Sequence, residues 1–205
     1  MVATVRRSIP MRVLGVDPGS RKTGWGVVDV VGHRIVHVDN GVLFLDDDRD
    51  LTIRLVDLAH RLNDVITTYA PERAAVEDVF VQKGARSALI LGQARGCALT
   101  TLGLRGLPVT SYSTSMVKQR VTGGGRAGKE QVAAMVSSLL GLPAWPFEDA
   151  ADALAVAVCA ALDNALPVRA TSPSLPPTMV LPTRKSRGRG REALLALARK
   201  QGKVL

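Results

Sequence analysis

The chain has 205 residues, 46% of them hydrophobic, and a formal charge of +9. That length and composition allow one substantial core, a single domain with appendages. Cys97 and Cys159 lack paired spacing and His33, His37 and His60 form no ligand pattern with them, which excludes a disulfide scaffold and a structural zinc site and fits a reducing cytoplasm.

No stretch approaches the roughly 20 apolar residues of a membrane span, and no apolar signal core follows the basic MVATVRRSIP, so a soluble, cytoplasmic protein is expected. Residues 12–17, RVLGVD, form a near-continuous apolar run ending on an acid. TGWGVVDV and RIVHVDNGVLF follow with Gly32 between them, and the three segments read as strands in a meander. In LTIRLVDLAHRLNDVITTYA the apolar positions Leu51, Leu55, Leu58, Leu62, Val65 and Ile66 keep a helical period until Pro71 stops the run. AAVEDVF reads as a fourth strand, ARSALILGQARGCALTTLG as a helix and LPVTSYS as a fifth strand. SMVKQRVT has a helix-like rhythm after the cap candidates Ser113 and Thr114. A glycine loop then leads into KEQVAAMVSSLL, a helix with Val132, Met135, Val136, Leu139 and Leu140 on one face. The order β-β-β-α-β-α-β-α-α predicts an α/β fold, a mixed five-stranded sheet with helices on both faces.

The loop GGGRAGKE, Gly123 to Glu130, comes within one residue of a nucleotide-binding P-loop, G-x-x-x-x-G-K-[ST]. Glu130 stands where the Mg²⁺-binding hydroxyl belongs, and the residues before the loop read as a helix, whereas a P-loop follows a buried strand. The ATPase reading fails on both counts. A sugar kinase of the actin-like type fails too, because the chain has no room for its second phosphate loop and duplicated domain.

Basicity belongs to the end of the chain. Residues 167–205 hold nine Lys or Arg and one acid, so +8 of the +9 lies there and about +1 is left for the first 166 residues. TSPSLPPTMVLPTRKSRGRGR has the composition of a linker, and EALLALARK suits a short amphipathic helix. Two readings stand for this tail: a solvated extension, or an arm that binds DNA nonspecifically or docks a partner.

Four acids have positions that call for explanation. Asp17 closes the first strand in VDPGS, where Pro18 and Gly19 turn the chain and leave the carboxylate at the sheet rim. Glu77 lies inside the apolar strand AVEDVF and needs a partner or a cation. Asp149 and Asp152, three apart in the first turn of FEDAADALAVAVCAALD, share one helix face. Each has an ordinary alternative: acids suit a first helical turn, and Asp17 suits a Pro-Gly turn. Gathered at one rim they would repel unless protonated or neutralised by cations, and an all-oxygen donor set points to Mg²⁺ or Mn²⁺.

The segments VLGVDPGSRKTGWGVVD, AVEDVF, SALILGQARG, VKQ with the later GKEQV, and DAADALAVA, in that order and spacing, resemble the RuvC-type Holliday junction resolvases from about Arg12 to Asp163. The resemblance implies a ribonuclease H-like fold, a homodimer, and resolution of four-way DNA junctions in recombination and repair by paired symmetric nicks. It implies two Mg²⁺ ions per active site, with Mn²⁺ as a substitute, and association with the RuvA tetramer and the RuvB branch-migration motor. The acidic tetrad falls on Asp17, Glu77, Asp149 and Asp152, the family's lysines on Lys118 and Lys129, and the aromatic that stacks at the junction centre on Phe80. The domain plan is an extension over 1–11, a nuclease domain over 12–166 and the basic tail over 167–205; the family pattern is silent on both extensions.

A mechanism follows from those assignments. Two ions about 4 Å apart, bridged by Asp17, would acidify a water for in-line attack and leave 5′-phosphate products. Lys129 would stand near the scissile phosphate and Lys118 would hold an adjoining one. Lys83, Arg86, Arg95 and Arg126 would add salt-dependent backbone contacts. Phe80 suits either stacking on an exposed base or a strand-end core position. The small residues Ala88, Gly92, Ala94 and Gly96 fit either close helix contact at a two-fold axis or tight packing within the chain.

Overall fold

The computed structural model describes residues 10–78, 84–142 and 148–165, excepting the side chains of Asn164 and Ala165. Phe80, Lys83, most of the N-terminal extension and the 167–205 tail lie outside the described residues. Five strands and five helices follow in the order β1 (Met11–Asp17), β2 (Lys22–Val31), β3 (Arg34–Phe44), α1 (Leu51–Tyr69), β4 (Arg73–Glu77), α2 (Ala85–Leu104), β5 (Val109–Tyr112), α3 (Thr114–Thr122), α4 (Lys129–Leu140) and α5 (Glu148–Ala165). The sheet runs β3-β2-β1-β4-β5. β1, β2 and β3 pair antiparallel as the expected meander, whereas β4 and β5 join parallel to β1 and to each other.

Period-2 alternation along the strands explains the two cores. Leu14, Val16, Val27 and Val76 point to one face and meet Leu58, Leu62 and Ile66 of α1 and Ala94, Ala98 and Leu102 of α2. Val13, Val28, Ala75 and Tyr112 point to the other and meet α3, α4 and α5. A strand buried on both faces has no polar side, which is why RVLGV reads as a continuous apolar run.

α1 ends where proline requires. Tyr69 is its last residue, Ala70 caps it at φ 46°, and Pro71 follows. The order written from the sequence ends on two helices, whereas among the described residues three follow β5, the segments SMVKQRVT, KEQVAAMVSSLL and the helix bearing Asp149 and Asp152 each forming its own. α4 also buries a narrower face than expected. Val132 and Val136 are buried, while Met135 and Leu139 remain 39% and 44% exposed. α4 rests on α3 and α5 through the 132/136 row, and no described element covers the row beside it.

The small residues of α2 divide between the two readings. Among the described residues, a Cβ added at Gly92, Gly96 or Gly103 would meet nothing within 4 Å, whereas Ala94 and Ala98 are fully buried. Leu89 and Leu104 on the same helix are 65% and 83% exposed.

Candidate active site

Strand alternation places the first two acids. In β1, Val13 and Gly15 face α5, so Asp17, two residues on, faces it as well; in β4, Ala75 faces α5 and Glu77 does likewise. The parallel register pairs Gly15 with Ala75 and Val16 with Val76. One step further along, Glu77 stands beside Asp17, close enough that its charge helps hold a proton on the Asp17 carboxyl.

Glycines bring in the other two. A Cβ on Gly24 would lie 1.8 Å from the carbonyl oxygen of Asp149, and one on Gly15 would lie 2.2 Å from that of Ala153. A Cβ on Gly26 would strike the Leu154 side chain at 2.7 Å. α5 therefore rests directly on the backbones of β1 and β2. Gly24 is also the strand partner of Asp17, so the same contact that seats the helix brings Asp149 to the rim. From Ala150 to Ala161 every residue of α5 is buried except Asp152. Asp149 lies in the first turn but Asp152 lies one turn further in, so helix-dipole stabilisation, which fades after the first turn, explains only the former.

The electrostatics follow from that crowding. Burial pushes the Asp17 carboxyl up to about 8, and the negative charges of Glu77, Asp152 and Asp149 add to the effect. Burial also raises Asp152, against the opposing pull of Lys129. Lys129 leads α4, and its Nζ lies 2.8 Å from Glu148 Oε1 and 3.4 Å from Asp152 Oδ2. Its hydrogen bond to Glu148 holds the ammonium above its ordinary range and lowers Glu148 in turn. The loop before it is shaped for this delivery: Gly123 takes φ 77° to end α3, and the Gly128 N–H donates to Gln131 Oε1 at 3.0 Å to start α4.

An open cavity of about 670 Å³ lies over the rim, lined by Asp17, Glu77, Asp152, Lys118, Lys129 and Thr114 among others. Asp149 acts on Asp17 through its charge and does not line the cavity. Among the described residues no three carboxylate, imidazole or thiol groups stand as they lie in an arrangement that would hold a metal ion. The chemistry of the donor set nevertheless fits a hard cation: all donors are oxygens, and the charge they cannot carry together is offset by a retained proton and by the Lys129 ammonium.

The cationic candidates divide. Lys118 lines the cavity with Lys129. Arg126 is exposed in the glycine loop and borders a second groove with Met135, and Arg86 is exposed at the start of α2. Arg95 is half-buried and bonded within the chain: its Nε donates to the Glu77 carbonyl at 3.2 Å, and Nη2 donates to Asp78 and, at 2.8 Å, to Ser111 Oγ. That fork holds β4 to β5 behind the acids, a task no charge count would reveal. Thr114, expected as a cap, is the first residue of α3; Ser113 caps the helix, its Oγ accepting from the Met116 N–H, and Thr114 donates instead to Glu77 Oε1.

The match to a family model covers residues 13–160, and that family is described as crossover junction endodeoxyribonuclease RuvC. The chain belongs to the RuvC family. RuvC of Trichlorobacter lovleyi is 55% identical over 149 residues, 73% of this chain and 84% of that protein. RuvC of Geobacter sulfurreducens is 53% identical over 149 residues, 73% of this chain and 91% of that protein. A solved structure of Thermus thermophilus RuvC in complex with Holliday junction substrate superposes with a TM-score of 0.72 at 34% identity, covering 76% of this chain and 95% of that one. The fold is thus the ribonuclease H-like resolvase fold that the motifs implied.

The site residues that sequence reasoning missed are Thr114, Glu148 and the glycines of TGWG. The glycines carried a legible signal: three in a row of alternate strand positions, Gly15 on β1 and Gly24 and Gly26 on β2, mark a sheet on which a helix lies close.

Proposed function

We propose that this protein resolves four-way DNA junctions in recombination and repair, cutting two strands symmetrically to leave 5′-phosphate ends. The observation that carries the reading is the meeting of Asp17, Glu77 and Asp152, with Asp149 adjoining, at one sheet rim beneath a cavity that two lysines also line. Asp17, Glu77, Asp149 and Asp152 would hold two Mg²⁺ ions, for which Mn²⁺ substitutes. When bound, such ions supply Lewis acidity toward the phosphodiester and an acidified water at neutral pH. Asp17, facing the other three acids, is the residue that must lose its proton for the set to act as ligands. Lys129 neutralises charge at the scissile phosphate, and Lys118, one helix away, holds a neighbouring phosphate. Arg126, Arg86 and Lys83 supply backbone contacts, and Phe80 stacks at the strand exchange. Arg95, with its donors committed to Glu77, Asp78 and Ser111, supports the site from behind.

Shape selectivity requires two such sites at fixed separation, which a homodimer provides. The open glycines and exposed leucines of α2 support that helix as the contact. Partnership with the RuvA tetramer and the RuvB motor belongs to the same reading, as does a cytoplasmic location; no described helix is long and apolar enough to cross a membrane. Replacing Asp17 by Asn tests the assignment. The variant should bind a synthetic junction as the parent does and lose at least 100-fold in Mg²⁺-dependent cleavage, a loss of the size removal of a central electrostatic group brings. Cleavage at the parent rate would remove the carboxylate site from the account.

A further inference from the structure

The Glu77 side chain is held by a group that is not one of the acids. β5 runs parallel to β4 with Tyr112 opposite Glu77, the Asp78 N–H donates to the Tyr112 carbonyl at 2.8 Å, and the chain turns at once into α3. Thr114, the first residue of that helix, thereby comes over the Glu77 carboxylate, and its Oγ1 donates to Oε1. Its neighbours cannot replace it: the Ser113 hydroxyl is occupied in capping α3 and lies 3.1 Å from Ser115 Oγ. Thr114 also lies four residues before Lys118, so both fall on the helix face that lines the cavity. At the far end of α3, Arg120 pairs with Asp163 of α5 at 3.0 Å. α3 is thus tied at one end to the strand that bears Glu77 and at the other to the helix that bears Asp149 and Asp152.

We infer that Thr114 is a positioning residue for metal binding, its hydroxyl fixing the Glu77 carboxylate so that the remaining oxygen faces the other acids. The inference rests on the metal-nuclease reading above. A carboxylate turns easily about its last torsion, and each orientation lost to that freedom weakens the site. Hydrogen bonds that orient a ligand set commonly change metal affinity or activity by about 10–100-fold.

The test compares Thr114→Val, which keeps the shape and removes the donor, with Thr114→Ser, which keeps the donor. Two titrations are made on the full chain: Mn²⁺ binding to the DNA-free protein by calorimetry, and junction cleavage against Mg²⁺ concentration. T114V should weaken Mn²⁺ affinity about 10-fold or more and raise the Mg²⁺ concentration for half-maximal cleavage by a similar factor, with junction affinity in EDTA unchanged. T114S should restore both toward the parent, and T114A, which cannot crowd Glu77, should repeat the T114V result. Equal Mn²⁺ affinity in parent and T114V would overturn the role of Thr114 alone. A parent that binds Mn²⁺ more tightly than T114V yet cuts no junction would uphold it while removing the nuclease reading.

Discussion

At the scale of the residue, Asp17 decides most. Its carboxyl retains a proton up to about pH 8 because burial and three neighbouring acids penalise the charge. In the unfolded chain it would titrate near 4, so between about pH 4 and pH 8 the unfolded state releases a proton that the folded state keeps. Metal-free protein should therefore lose stability as pH rises through that window, by up to about 5 kcal/mol, since each tenfold difference in proton affinity between the two states is worth about 1.4 kcal/mol. D17N should flatten the slope and melt higher than the parent at pH 8, and Mg²⁺ should restore the parent. Thermal melts across pH with EDTA or Mg²⁺ measure this; identical slopes in parent and D17N would contradict it. The four acids could be read from sequence because strand ends, an apolar strand interior and an i, i+3 helix pair are local patterns. Thr114 and Glu148 could not, since an exposed hydroxyl and an exposed carboxylate acquire meaning only from partners 37 and 19 positions away.

At the scale of the element, the seating of α5 on bare backbone determines whether the acids meet at all. Gly24→Ala would place a methyl 1.8 Å from the Asp149 carbonyl. The helix must then retreat or the strand must bend, which costs about 1–3 kcal/mol or more and moves Asp149 from Asp17. We expect G24A to melt well below the parent and to lose cleavage beyond what its folded fraction accounts for. A melting point and activity like the parent's would show that α5 does not need that contact. Elements with a full apolar period, α1 above all, could be read in the sequence nearly to their ends, and Pro71 marks the end of α1 in both sequence and structure. The burial of α4 could not, because Met135 and Leu139 satisfy the period but have no described element laid over them.

At the scale of the whole molecule, the proposed paired nicks require one site to act beside a second. Gly96 on α2 meets no described atom where a side chain would begin, so Gly96→Arg should fold as a monomer with little loss of stability. Sedimentation should find the parent dimeric and G96R monomeric, and the monomer should give single nicks in place of paired ones. A dimeric G96R would move the interface away from this face. The sheet order was legible in outline, since an apolar meander followed by βα alternation leaves few mixed topologies, whereas the sequence alone leaves the role of the small residues of α2 open, because residues that permit close approach between chains also permit it within one. The most direct measurement of the central claim sets a mobile synthetic four-way junction beside a linear duplex of the same sequence, each incubated with the protein in Mg²⁺ and in EDTA. Carboxylates at a shared rim, paired across a dimer, predict symmetric nicks in the junction with Mg²⁺ and none in the other three mixtures; cleavage in EDTA, or equal cleavage of the duplex, would contradict it.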